Sequence, residues 1–345
     1  MTSTSKDIHQ ATGLREGTFG IATLAQGDRV FPALVKPNAD VVDVSHRFHD
    51  THAIFDDWER AFDELLRIAE EVEAHLHLGD LRILPPLARP NVLCAGANNR
   101  THSAQMLTKN AFNQHNRLEG ESDEEFFHRN FALMEKRAKE GVPFLWTSLH
   151  SALTGADADV VLPPLGEQHD WELEIAGVIG RSGRYVSREE AKQMIAGYTI
   201  VDDLGSVDVF RRTDIPWGYD WISKHQPTFK PTGPFIVPAA FVEMDDSVRI
   251  SLSVNGEVMQ DWRVNDWIFD MATLVAYASE RVRLTPGDLL LAGSPPGNGM
   301  HHGGRFLKDG DVIDSSITGL GRQRNTCVRE DIGDRTPAIG HWPAQ

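Results

Sequence analysis

The chain has 345 residues, 41% hydrophobic and 24% charged, a globular composition with enough apolar side chains for one sizeable core and a smaller attached unit. Fifty acidic residues against 34 basic ones leave a formal charge of -16, which repels phosphate backbones and anionic lipid, so neither nucleic acid nor a membrane surface is an expected partner. The opening MTSTSKDIHQATGLREG has no apolar signal-peptide core, no segment approaches the roughly 18–20 apolar residues of a membrane span, and Cys94 and Cys327 lie far apart without CxxC spacing, so the expected setting is a reducing cytoplasm.

In chain order, FGIATL, RVFPALV and DVVDVS read as short strands. They lead into a helical stretch, DDWERAFDELLRIAEEVEAH, with Trp58, Phe62, Leu65 and Ile68 at helical spacing. LPPLARP reads as a linker whose prolines fix an extended path, which places a small N-terminal domain over residues 1–84 and a larger one over residues 85–345. NVLCAGANNRTH then reads as a buried strand entering a loop. In SDEEFFHRNFALMEKRAKEG, Ser122 and Glu125 predict a capping box; Phe127, Phe131, Met134 and Ala138 predict one apolar face, and Gly141 a stop. The polar stretch before that helix is expected to move as a lid over residues 106–141. SREEAKQMIAG repeats the capping signature at Ser187 and Glu190 and is expected to end at Gly197, where the apolar YTIV begins. GPFIV, VRISLSVNGEVMQDW, DLLLAGSPPG and DVIDSSITGLG predict strands parted by glycine, proline and Asn-Gly turns, so the C-terminal half is mostly β, with a polar tail after Val328.

Within HDWELEIAGVIG, Glu172 and Glu174 stand two apart in a strand pattern and so share a face. An isolated Glu-x-Glu usually marks the wet face of a half-exposed strand. Here Ala176 and Val178 continue that face and are apolar, so two carboxylates are expected out of water, where they need a cation. Asp203 ends the next apolar run. Three oxygen donors without cysteine or HExxH spacing favour Mg²⁺, Mn²⁺ or Ca²⁺ over zinc.

DWELEIAGVIG, AGYTIVDDLGSVD, SKHQPTFKPTGPFIV, VNGEVMQ, TPGDLLLAGSPPGNG, LKDGDVI and ITGLG follow one another in the order and spacing of the fumarylacetoacetate hydrolase superfamily, which the chain resembles from about Pro90 to Val328. The resemblance implies an α+β, mostly β fold, a mixed β-sandwich roll with a small N-terminal α/β unit, forming a homodimer. It implies Mg²⁺, with Mn²⁺ or Ca²⁺ as alternatives, held by Glu172, Glu174 and Asp203. Lys224, nine residues before Gly233 and Pro234, matches the family lysine that balances charge on an enolate. AGANNRTHSAQM is similar to Gly-x-Asn-Tyr-x-x-His-x-x-Glu, which makes His102 the catalytic histidine, Gln105 its partner, and Gly96 and Asn98 parts of the supporting turn. Gly293 and Ser294 stand in a loop that contacts substrate, and Asn98, Arg211 and Gln260, the last in VNGEVMQ, complete the expected substrate-binding set.

The departures bear on chemistry. Asn99 replaces the motif tyrosine, Gln105 the glutamate and Val207 an arginine, leaving Arg211 or Arg212 to substitute as a carboxylate clamp. Ser148 stands where many members carry lysine, and His301 and His302 follow the glycine loop as loop residues first and substrate contacts second. The expected function is metal-dependent hydrolysis of a carbon-carbon bond in a small β-diketo or acylpyruvate-like substrate. The alternatives are an isomerase or β-keto acid decarboxylase using the same enolate, and a binding protein whose chemistry has lapsed.

Overall fold

A computed structural model describes residues 12–340 apart from 110 and 216–217. The N-terminal strands β1 (Gly20–Gln26), β2 (Arg29–Val35) and β3 (Asp40–Asp43) are followed by helix α1 (Trp58–Glu71), β4 (Leu76–His77) and β5 (Arg82–Leu84), and the strands form one sheet in the order β4-β3-β2-β1-β5. Ala61, Leu65 and Ile68 are the buried positions of α1, while Trp58 stacks between Phe55 and Phe62 with ring centroids 5.3 and 5.2 Å apart.

Next come β6 (Val92–Gly96), α2 (Arg100–Lys109), α3 (Asp123–Glu140) and β7 (Phe144–Ser148). Both halves of the expected capping box at Ser122 and Glu125 are present. The apolar face is broader than the spacing suggested: Phe126, Asn130 and Met134 are its buried centre, and Phe127, Phe131 and Ala138 pack partly buried beside them. The guanidinium groups of Arg117 and Arg129, each 4.9 Å from the Phe126 ring, cover that side chain, and Asn130 Nδ2 donates to Thr108 Oγ1 at 3.1 Å, joining α3 to α2.

Two short strands, β8 (Leu153–Thr154) and β9 (Val160–Leu162), precede β10 (His169–Asp170) and β11 (Leu173–Ile179). Helix α4 (Arg188–Met194) carries the second capping box and stops three residues short of Gly197, because Ile195 already pairs with Ile179 at the start of β12 (Ile195–Asp202). Strands β13 (Gly205–Ser206), β14 (Lys230–Pro231) and β15 (Val237–Pro238), the β16 (Arg249–Val254) to β17 (Glu257–Arg263) hairpin, helix α5 (Met271–Ser279) and β18 (Leu289–Leu291), β19 (Val312–Ile317) and β20 (Gly321–Arg329) complete the chain. Asn255 and Gly256 turn the hairpin at φ 54° and 83°, the pair of positive values that an Asn-Gly turn supplies.

The central sheet runs β15-β12-β11-β18-β6-β7, and a second large sheet runs β17-β16-β19-β20-β9. Leu173, Ile175 and Ile200 face a core shared with Ile250, Leu252 and Ile313, whereas Ala176, Val178 and Val201 face another with Leu289, Leu291, Ile21 and the buried side of α1. The central sheet is therefore covered on both faces, and every residue of β11 and β12 is buried. Among the described residues no helix is long and apolar enough to cross a membrane.

Candidate metal and acid-base site

Glu172 lies one residue before β11, Glu174 within it, and Asp203 one residue after β12. The antiparallel register sets Leu173 opposite Asp202 and Glu174 opposite Val201, so the two strand ends meet. Two hydrogen bonds continue the ladder past its last pair: Asp203 N donates to Glu172 O at 2.8 Å, and Glu172 N donates to Asp202 Oδ1 at 2.8 Å. One oxygen from each of Glu172, Glu174 and Asp203 then lies within 4.8 Å of the others. Glu174 and Asp203 are buried, and Glu172 keeps 26% of its side chain exposed.

Each carboxylate is held differently. Glu174 Oε2 accepts from the backbone N–H of Gly293 at 2.7 Å. Gly293 sits at φ 94°, where a Cβ would also lie 3.1 Å from Ala95 O and from Asn98 Cβ, so a side chain there meets both strain and backbone. Lys224 Nζ donates at 2.7 Å to both Glu172 Oε2 and Asp203 Oδ2. A second lysine, Lys230, is fully buried on β14 and donates to Asp203 Oδ1. The Trp146 ring lies 5.2 Å from the Lys224 ammonium and 5.6 Å from that of Lys230, an aromatic face turned to two cations.

Burial and the charges of Asp203 and Glu172 push the Glu174 carboxyl well above the ordinary range. Burial also raises Glu172, against the pull of Lys224. At Asp203 burial acts upward too, yet the two lysines outweigh it and hold the carboxyl below its usual value. Lys224 is raised, because Asp203 and Glu172 overcome the burial that would lower it. The cluster thus keeps Lys224 charged and leaves Glu174, the carboxylate without a lysine contact, to relieve the repulsion by protonation. Oxygen-only donors, close spacing and an uncompensated carboxylate fit a hard divalent cation.

His102 stands in the first turn of α2. Asn99, in place of the motif tyrosine, caps this helix: its Oδ1 accepts from His102 N at 2.9 Å. Burial, reinforced by Lys224, lowers the imidazole to about 4, so the ring is neutral near pH 7. Its Nδ1 and the Oε1 of Gln105 are buried without a hydrogen-bond partner among the described residues. Two more carboxyls border the cluster. Burial raises both Asp170 and Asp202 to about 7. Asp170 Oδ1 accepts from Trp171 N at 2.9 Å and Gly299 N at 2.6 Å.

Three of the expected substrate contacts have partners within the protein. Asn98 donates to Phe269 O at 2.9 Å and Ala292 O at 2.8 Å and accepts from Phe269 N at 3.0 Å, so its amide is consumed in joining β6 to two loops. Gln260 is spent in the same way: it accepts from Leu173 N at 3.0 Å and donates to Ser294 Oγ at 3.0 Å and Pro295 O at 2.9 Å. Through these bonds both residues also brace the Gly293–Ser294 loop. Arg211 makes a backbone bridge to Tyr219, and Arg212 is committed to Asp214 at 2.5 Å and Asp220 at 3.4 Å, so among the described contacts neither arginine reaches the carboxylates. Ser148 hydrogen-bonds the His225 ring at 3.2 Å.

Lys230 escaped the sequence reading, since a lone lysine is ordinarily solvated. Its signal is position: Phe229 and Pro231 flank it inside a run continuing to Gly233, Pro234 and Phe235. An open crevice of about 640 Å³ beside Tyr185, Ser187, Glu190 and Arg281 is lined by none of the site's side chains.

Residues 91–328 match the family model described as fumarylacetoacetate (FAA) hydrolase C-terminal. Over 180 residues, 52% of this chain and 56% of the relative, the sequence is 34% identical to a mitochondrial oxaloacetate tautomerase of Rattus norvegicus. Over 184 residues, 53% of this chain and 64% of the relative, it is 36% identical to the 2,4-didehydro-3-deoxy-L-rhamnonate hydrolase of Sphingomonas sp. (strain SKA58). The match thus spans somewhat over half the length of these curated relatives. Maleylpyruvate hydrolase from Sphingobium sp. SYK-6, solved in complex with manganese(II) ion and pyruvate, superposes with a TM-score of 0.67 over 90% of this chain and 100% of that one, at 20% identity, a likeness of fold.

Proposed function

The chain belongs to the fumarylacetoacetate hydrolase family, and we propose that it is a divalent-cation-dependent enzyme that hydrolyses a carbon-carbon bond in a small acylpyruvate-like 2,4-dioxo acid. The observation that carries this reading is the cluster of three carboxylate oxygens within 4.8 Å of one another, beside a buried, charged lysine. Glu172, Glu174 and Asp203 would hold Mg²⁺ or Mn²⁺, and a cation there supplies Lewis-acid polarisation of substrate oxo groups.

The chain's own residues do the rest. His102, neutral with Nδ1 free, takes a proton from water as the water oxygen adds to the carbonyl carbon distal to the acid head. When the carbon-carbon bond breaks, its electron pair passes into the pyruvate half as an enolate, and the Lys224 ammonium balances that charge. The proton held by His102 returns to the enolate carbon, giving pyruvate and a second acid. Gly293 keeps Glu174 directed into the cluster throughout.

A specific observation favours a second reading. Gln105 is a neutral amide three residues from His102, so no carboxylate there strengthens the ring as a base toward water. Moving a proton between carbon and oxygen of the same enol needs no water, and tautomerisation, the activity named for the rat relative, uses the same residues otherwise.

Loading purified protein with Mn²⁺ or Mg²⁺ and following acylpyruvates, β-diketones and oxaloacetate by enol absorbance separates the two. With an acylpyruvate, hydrolysis releases pyruvate and a second acid in equal amounts; with oxaloacetate, tautomerisation changes enol absorbance without cleavage products. Lys224→Met should lower kcat far more than it raises KM. No metal-dependent change with any of these compounds would remove both readings.

A further inference from the structure

The loop after Gly293 ends in a helical turn, Gly299–His302, whose two histidines do different work. The turn is fixed at its start by Asp170, which accepts from Gly299 N, and at its end by His302, whose Nε2 bonds Met259 O at 3.0 Å. His301, between these anchors, meets the His102 ring edge-on with centroids 5.8 Å apart. Its Nε2 is buried and, like His102 Nδ1 and Gln105 Oε1, has no hydrogen-bond partner among the described residues. Residues 102 and 105 are one helical turn apart and share a face of α2, and His301 meets that face at the His102 ring.

Such groups are costly. Each buried polar atom without a partner forfeits about 1–3 kcal/mol, which a ligand recovers if it supplies the complementary group. We infer that His301, with Gln105, recognises a hydroxyl group on the part of the substrate remote from its oxo-acid head, His102 Nδ1 being left to the water, so that the substrate is a hydroxylated oxo acid and not a dicarboxylate. The inference rests on the cation-dependent oxo-acid reading above, which supplies the head.

The donor-acceptor inventory selects the hydroxyl. Gln105 Oε1 offers lone pairs, which a carboxylate, itself only an acceptor, cannot satisfy, whereas a hydroxyl donates to the amide oxygen and accepts from an imidazole N–H. Burial, aided by His102 and Lys109, keeps His301 at about 4, so the ring carries no charge near pH 7 to draw an anion. Of the cations that act on these rings, Lys224 is bonded to Glu172 and Asp203, and Lys109, at the far end of the same helix, is exposed. Water already satisfies an exposed ammonium, so Lys109 exerts less selection than the buried atoms of His301 and Gln105.

The test is calorimetric binding of three probes that share one head and differ at carbon five: 2-oxopentanoate, 5-hydroxy-2-oxopentanoate and 2-oxoglutarate, each with and without Mn²⁺. The hydroxylated probe should bind about tenfold more tightly than 2-oxopentanoate in a Mn²⁺-dependent manner, the worth of one well-made hydrogen bond. His301→Leu should bring that ratio to near one, and His301→Gln, which keeps a donor and an acceptor, should restore part of it, with thermal melts showing that both variants fold. Equal affinities in the native protein, or a ratio that survives His301→Leu, would overturn the inference while leaving the metal site intact. Tightest binding of 2-oxoglutarate would also overturn it and make Lys109 the recognition group. Loss of metal dependence for all three probes would remove the oxo-acid reading and this inference with it.

Discussion

Glu174→Gln removes one charge from the carboxylate cluster and changes almost nothing in shape. Two unit charges 4.8 Å apart repel by about 3.5 kcal/mol at an effective dielectric near 20, and Glu174 faces two such neighbours while touching neither lysine. The metal-free protein answers by raising the Glu174 carboxyl, so that it retains its proton further up the pH scale than an ordinary glutamate. A raised carboxyl stabilises the fold at low pH, and that contribution is lost as pH rises through its folded value. In glutamine the proton question disappears. The variant should therefore match the native metal-free protein within about 1 kcal/mol at low pH and become the more stable of the two as pH increases. Cation binding has the opposite sign: a ligand charge is gone, and affinity should fall at least 100-fold, about 3 kcal/mol. Because the native carboxyl must shed a proton to bind, native affinity should also climb more steeply with pH than that of the variant. Mn²⁺ titration calorimetry and thermal melts from pH 5 to 9 read both effects. Equal pH slopes, or a Kd within threefold of native, would refute the reasoning.

Lys230→Met strips Asp203 of one buried partner and should cost the metal-free protein about 3–5 kcal/mol, part of it regained when saturating Mn²⁺ restores positive charge beside the carboxylate; melts with and without the ion check this, and a loss that Mn²⁺ leaves unchanged would contradict it. Asp170, raised to about 7 by burial, favours the fold below its unfolded value and loses that advantage as pH rises through 7. Asp170→Asn keeps an acceptor for Gly299 N and should gain on the native protein between pH 5 and 8, by a ceiling of about 4 kcal/mol; a stability difference independent of pH would count against it.

What could be read beforehand depended on periodicity. Glu172 and Glu174 stood out because alternation is strict in a strand, and Ala176 and Val178, in the core behind the sheet, show that their face is a dry one. Both capping boxes were legible because they are local. The end of α4 was not, since pairing of Ile195 with a strand sixteen residues earlier outweighs helical continuation. Lys230 was hidden for a related reason: its burial depends on a parallel pairing with β8 and on Asp203, both remote in the chain. Asn98 and Gln260 sit in motifs that point to the site, but the hydrogen bonds by which they brace its loop join residues remote in sequence. The free Nε2 of His301 is likewise invisible in sequence, where His301 and His302 are adjacent and alike.

The carboxylates project from strand ends in a sheet covered on both faces, and this bears on how an ion would come and go. Backbone in such a position opens only with the whole domain, so the ligand frame is preorganised and the ordering cost of a chelate falls on folding, not on capture. Lys224, at the end of the short turn Trp221–Lys224, is buried and bridges Glu172 and Asp203 from outside that sheet. An ion held there would meet a frame already set by the sheet, and its arrival would be felt first by the two ion pairs of Lys224 and only then by any backbone.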